Sequence, residues 1–206
     1  MASRRRGSSS GGTSSRQPAN LRIIGGEFRG RPIRYHGDQA TRPMKERVRE
    51  AVFNLVGPAV KGKFVIDLFS GTGAMALEAI SRGAERAFLI ERSFPCARVI
   101  RQNAELLGVS ERIAIETSDT FVWSRREPVL PDVPRLVFFC PPYDYYLTRT
   151  AELSDLIREM IETAMVGSLI VVECDGRFDT DTLPDADRWD VRHYPPAVVG
   201  IYDVEA

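Results

Sequence analysis

The chain has 206 residues, with 28 Lys and Arg against 28 Asp and Glu, two His and three Cys. That length supports one domain with a sizeable buried core, and an apolar share of 43% is ordinary for a globular protein. No apolar run is long enough to cross a membrane, and Arg4, Arg5 and Arg6 are not followed by the apolar stretch that a secretory signal requires. A cytoplasmic protein is therefore expected. Cys96, Cys140 and Cys174 are scattered and form no CxxC pair, which argues against a disulfide framework or a zinc cluster and suits a reducing compartment. His36 and His193 have no partner at ligand spacing, so no metal is expected. The zero net charge hides an asymmetry. Residues 1–50 carry 12 basic and 4 acidic side chains, whereas the other 156 residues carry 16 basic and 24 acidic ones. A basic front on an acidic body suits contact with a polyanion such as nucleic acid.

Residues 1–20 are rich in Ser, Gly and Arg and nearly free of apolar side chains, so a disordered basic tail is expected there. A second unit, 21–60, opens with short strands at 21–24 and 27–35 around Gly25-Gly26, a hairpin pattern. Arg22, Arg29, Arg31 and Arg34 lie on it. Arg42-Pro43 breaks the chain. A helix is expected over 44–56, where Val48, Ala51, Val52 and Leu55 recur at helical spacing and Lys45, Arg47 and Arg49 take other faces. The third unit, 61–206, alternates strands at 64–69, 86–91, 113–116, 136–139 and 168–173 with helices at 74–82, 94–107, 121–125 and 150–164. Strands at 188–194 and 197–204 form a last, antiparallel pair about Pro195-Pro196. The fold class is α/β: a Rossmann-like, mostly parallel seven-stranded sheet with helices on both faces.

Residues 64–73, FVIDLFSGTG, are the most informative stretch. An apolar strand runs into Ser70, Gly71 and Gly73, and a helix follows at once. Glycines at such a turn let the backbone approach a ligand. Two cofactors compete for this layout, because Gly71-Thr72-Gly73-Ala74-Met75-Ala76 also fits a dinucleotide loop, and with it an NAD-dependent oxidoreductase. Asp67 discriminates. A carboxylate is unwelcome beside a pyrophosphate, whereas S-adenosylmethionine has no phosphate and carries a cationic amino-acid end. Glu91, at the end of the next strand, can accept from both ribose hydroxyls, and Asp119, after the third, from the adenine amine.

Residues 136–143, LVFFCPPY, end the fourth strand in a rigid Pro-Pro turn. Such a turn suits methylation of an exocyclic ring amine, whose lone pair is delocalised into the ring. Acceptors aimed at the amine hydrogens make the nitrogen more pyramidal. The Pro141 carbonyl is one candidate acceptor, the side chain at Cys140 the other, and Tyr143 can stack on the base beside Pro142. Glu173, at the end of the fifth strand near the cleft, reads as a strand-end acid, and Asn103 as a local cap or surface contact.

With these segments in place the chain resembles the RsmD family of 16S rRNA guanine-N2 methyltransferases. The resemblance covers about residues 21–204 and rests on LRIIGGEFRGRPI (21–33), TRPMKERVREAVFNLV (41–56), DLFSGTGAMALEAISRGA (67–84), IER (90–92) and PPY (141–143). It implies a class I fold and methyl transfer from S-adenosylmethionine to the N2 amine of a guanine in small-subunit rRNA, on an assembled or assembling 30S particle, by a monomer. It implies cofactor binding by Asp67, Ser70, Gly71, Gly73, Glu91 and Asp119, base handling by Cys140, Pro141, Pro142 and Tyr143, and RNA contacts by Arg22, Arg29, Arg31, Arg34, Arg42, Arg47 and Arg49. Two positions depart from the family pattern. Cys140 stands where an Asp, or an Asn in related enzymes, is usual, and Met44 where a Thr is usual. A thiol is a weak acceptor. It leaves open a slower enzyme, an altered target, a cofactor-binding assembly factor without turnover, or a Cys nucleophile of the pyrimidine-methylating kind.

Overall fold

The computed structural model describes residues 21–35 and 44–205. The basic tail expected over 1–20, His36 and the Arg42-Pro43 break lie outside the described residues. In chain order the elements are β1 (Leu21–Arg22), β2 (Pro32–Ile33), α1 (Glu46–Val56), β3 (Phe64–Asp67), α2 (Ala74–Ser81), β4 (Arg86–Ile90), α3 (Phe94–Leu107), β5 (Ile113–Glu116), α4 (Thr120–Ser124), β6 (Arg135–Phe139), α5 (Tyr145–Thr148), α6 (Thr150–Glu162), β7 (Leu169–Asp175), β8 (Trp189–Tyr194) and β9 (Ala197–Asp203). The large sheet has seven strands in the order β5-β4-β3-β6-β7-β9-β8. β3 to β7 run parallel, and β9 returns antiparallel between β7 and β8. This is a Rossmann-like architecture, as the alternation of apolar strands and amphipathic helices predicts.

Both faces of the central strands are covered, so β3, β6 and β7 are largely apolar and their residues sort by parity. Val65, Leu89, Leu136, Phe138 and Val171 pack with α1, α2, α3 and the hairpin. Ile66, Ile90, Val137, Phe139 and Val172 pack with α4 and α6. Leu21, Ile23, Phe28 and Ile33 belong to the first cluster, so the N-terminal segment shares the core of the sheet.

The hairpin is shorter than its sequence suggests. Only Leu21↔Ile33 and Arg22↔Pro32 pair. Ile23 still bonds across to Gly30 and Arg31, but other intervening donors turn to α2. The Ile24 and Gly25 N–H groups each donate to the Glu78 carboxylate at 2.7 Å, and the Phe28 N–H donates to Ser81 Oγ at 2.9 Å. Gly26 sits at φ +76°, where a Cβ would lie 1.9 Å from the Ser81 carbonyl oxygen. Donors engaged with α2 cannot also form a strand ladder.

Two residues are corrected by this docking. Arg49, expected among the RNA contacts, is fully buried; its Nε lies 3.6 Å from Glu78, and it donates to the Arg22 carbonyl at 2.6 Å. It neutralises a buried acid and cannot reach a ligand outside. Asn103, expected as a cap or surface contact, is also buried; it accepts from the Arg34 N–H at 2.7 Å and donates to the Arg34 carbonyl at 3.0 Å, joining the end of the hairpin to α3. The one-turn helix α5 escapes sequence reading because four residues are too few to display a period.

Removing one partner of a buried ion pair strands the other, which costs about 3–5 kcal/mol. Arg49→Ala is accordingly expected to lower the urea midpoint by that equivalent. A variant of unchanged stability with weakened RNA binding would reinstate Arg49 as a contact residue.

Candidate active site

Strand order reverses at β3 and β6, and in open α/β sheets the crevice at the carboxyl ends beside such a reversal holds the ligand. A cavity of about 410 Å³ lies there, within the range usual for small-molecule sites. Met44, Lys45 and Val48, at the start of α1, form one wall. The loop after β3, the ends of β4 and β6, and Glu173 on β7 form the rest.

Asp67 closes β3 and is 1% exposed. Neither carboxylate oxygen has a hydrogen-bond partner among the described residues. The N–H groups of Phe69 and Ala76 lie near enough to temper its charge but not in bonding geometry, while burial and the Glu91 carboxylate push its pKa up to about 7. A buried, unpartnered carboxylate is costly unless a ligand supplies the donors. The loop beyond it turns on Gly71 and Gly73, both at positive φ. A Cβ on Gly73 would press to 3.0 Å of the Ile100 side chain, so the helix start stays close to α3. Ser70 Oγ donates to the Asp67 carbonyl at 2.8 Å and holds the turn.

Glu91 accepts from the Gly71 and Ser93 N–H groups, both at 2.7 Å, and faces the cavity. It fixes the glycine loop. Asp119 caps α4, accepting from the Phe121 and Val122 N–H groups at 3.0 and 3.2 Å, and its other oxygen lies 3.8 Å from Arg149. It too lines the cavity, so the cap and the ligand-facing role share one side chain.

Cys140, Pro141, Pro142 and Tyr143 form the opposite lip. Burial, with Glu173 and Asp67 nearby, holds the Cys140 thiol well above its ordinary value. Such surroundings disfavour the thiolate that a nucleophilic cysteine needs. Among the described residues nothing donates to the Pro141 carbonyl. Tyr143 differs from expectation in one respect: its hydroxyl is already engaged, donating to Glu173 Oε1 at 2.6 Å. Glu173 is therefore more than a strand-end acid. It is 6% exposed, and burial raises its pKa while the Tyr143 hydrogen bond lowers it. Nothing in the local sequence distinguishes it; only the pairing of β6 with β7 brings it to the cavity.

The remaining arginines of the basic front are exposed. Arg22 pairs with Glu46 at 3.2 Å, Arg34 donates to Gln102 at 3.4 Å, and Arg31 donates to the Leu106 carbonyl. Arg47 donates to the Pro195 carbonyl at 2.9 Å, at the cavity rim. Arg29 has no side-chain partner among the described residues. Arg42 lies outside them. Among the described residues no group of three or more His, Cys, Asp or Glu is placed to hold a metal, and no helix is long and apolar enough to cross a membrane.

A family model described as "Conserved hypothetical protein 95" matches residues 21–194. The chain belongs to this family, the RsmD methyltransferases. "Ribosomal RNA small subunit methyltransferase D" of Escherichia coli strain K12 is 34% identical over 124 residues, 60% of each chain. "Putative rRNA methyltransferase YlbH" of Bacillus subtilis is 30% identical over 127 residues, 60% of this chain and 67% of the relative. Among solved structures, a putative methyltransferase of E. coli, yhhF, superposes with a TM-score of 0.74 at 26% identity, covering 91% of this chain and 99% of that one. An RNA methyltransferase from Salinibacter ruber in complex with S-adenosyl-L-homocysteine shares the fold, with a TM-score of 0.57 at 19% identity over 80% of this chain and 94% of that one. Membership of a methyltransferase family sets the oxidoreductase alternative aside.

The Asp67 carboxyl titrates near 7 in the fold against an ordinary 3.8, so between those values the folded protein holds a proton that the unfolded chain has lost. Stability of the ligand-free protein should fall as pH rises through that window, by roughly 2–4 kcal/mol. Asp67→Asn should flatten the slope and raise the melting temperature at neutral pH. Thermal scans across pH check this; a wild-type curve without the slope refutes it.

Proposed function

We propose that this chain transfers the methyl group of S-adenosylmethionine to the exocyclic N2 amine of a guanine in small-subunit rRNA, on an assembled or assembling 30S particle in the cytoplasm. The observation that carries the reading is the unpartnered Asp67 carboxylate in the same cavity as the open Pro141 carbonyl. One group asks for a cationic donor and the other for a neutral one. S-adenosylmethionine has an ammonium for the first, and a ring amine has a hydrogen for the second.

When bound, the cofactor supplies an electrophilic methyl group on a sulfonium. The chain's own residues do the rest. Asp67 takes the amino-acid end, Glu91 the ribose hydroxyls and Asp119 the adenine side. The glycine loop lets the backbone come close, and Gly71 is held by Glu91. The Pro-Pro turn fixes the Pro141 carbonyl so that it can orient the target amine without reorganisation. The exposed arginines of the hairpin and Arg47 face solvent, where they can neutralise phosphates. The relatives' names give the substrate class, and the basic front of this chain suits it.

Calorimetry should show binding of S-adenosylmethionine, weakened at least tenfold by Asp67→Asn, since a neutral amide replaces a charge-assisted partner. Labelled methyl should pass to small-subunit rRNA, and digestion should release N2-methylguanosine. Cofactor and RNA binding without transfer would instead identify an assembly factor. Arg29→Ala should weaken RNA binding and reduce its salt dependence by about one phosphate contact; an unchanged salt slope removes Arg29 from the interface.

A further inference from the structure

Three strand ends meet on one face of the sheet. Asp67 ends β3, Cys140 follows β6, and Glu173 lies on β7. The parallel register pairs Phe139 with Val172, so the next step sets Cys140 beside Glu173. Asp67 pairs with Phe138, and parity puts Asp67, Cys140 and Glu173 all on the side covered by α1. Cys140 thus lies between two acids, and both act on its thiol. All three line the cavity.

The two acids differ in what they lack. Among the described residues Asp67 has no hydrogen-bond partner, whereas Glu173 is held by one, the Tyr143 hydroxyl on Oε1. Tyr143 belongs to the Pro-Pro turn, so the turn that offers the Pro141 carbonyl also fixes the Glu173 carboxylate. Each carboxylate oxygen has two lone pairs, which leaves Oε2 and part of Oε1 for another donor. The Watson–Crick edge of guanine presents adjacent donors, N1–H and the N2 amine, and a carboxylate accepts such a pair. Adenine presents a donor beside an acceptor and would meet repulsion there.

Resting on the reading above, we propose that Glu173 is a catalytic residue of the methyl transfer, supplying from β7 the amine acceptor that the Cys140 side chain does not provide. Glu173 accepts from the N1–H and N2 amine of the target guanine, with the Pro141 carbonyl as the other acceptor. The N2 lone pair forms the new N–C bond, and the C–S bond breaks with its electrons going to sulfur. The methylated nitrogen then carries one proton too many, and that proton passes to the Glu173 carboxylate.

The test compares the full chain with Glu173→Gln, Cys140→Asp and the double variant, using S-adenosylmethionine and small-subunit particles lacking the methyl mark. Wild-type protein transfers methyl to a guanine amine. Glu173→Gln should lower kcat by about 100-fold or more, the effect typical of losing a positioned polar group at a reacting centre. The calorimetric Kd for S-adenosylmethionine should stay within about twofold, showing that the fold and Asp67 site persist. Adding Cys140→Asp to Glu173→Gln should recover at least about tenfold in kcat, because an acceptor returns one strand away. A kcat for Glu173→Gln close to wild type overturns the assignment, as does a loss of cofactor affinity that matches the loss of rate, or a double variant no faster than Glu173→Gln. Failure of the wild type to methylate any ring amine overturns the functional reading itself, and this assignment with it.

Discussion

The Glu78 carboxylate, buried within α2, sets the arrangement on which the cavity depends. It takes two backbone N–H groups from the hairpin, the Arg82 guanidinium at 2.8 Å, and the charge of buried Arg49. Burying a carboxylate without such partners is costly, so this one group ties α2, the hairpin and α1 to each other. Since the start of α1 is a wall of the cavity, the docking of a segment remote in sequence decides the shape of the site. Gly26 permits this contact by having no side chain where the Ser81 carbonyl lies.

The site itself is built on the opposite principle. Around Glu78 the buried acid is met by backbone N–H groups and two guanidinium groups, while at the strand ends neither Asp67 oxygen has a hydrogen-bond partner among the described residues. The carboxylate is buried at the floor of the cavity, where a ligand can supply the donors that the protein does not. Function is concentrated where local satisfaction fails. Glu91 and Asp119 show an intermediate solution, each serving as a cap or loop anchor and as a wall of the cavity. Such double use keeps their rotamers fixed before a ligand arrives, which reduces the entropy lost on binding.

Much of this was open to sequence reading because it rests on local signals. The strand-to-glycine turn after β3, the acid ending β3, the acid following β4 and the Pro-Pro turn after β6 follow from periodicity and from backbone chemistry that neighbours along the chain impose. A mostly parallel sheet of seven strands follows from the same alternation, whereas the order of its strands comes from the structure. What tertiary structure alone decided depends on pairs far apart in sequence. Arg49 reads as a surface cation until Glu78, 29 positions later, faces it in the core. Asn103 reads as a surface residue until the hairpin reaches α3. Glu173 reads as an ordinary strand end until the register of β6 and β7 sets it beside Cys140 and Tyr143. The glycines and Asp67 declare a cofactor site through the local backbone, but which buried charges are neutralised and which remain for a ligand is fixed only when distant segments pack, because Coulombic and hydrogen-bond partners act through space and not along the chain.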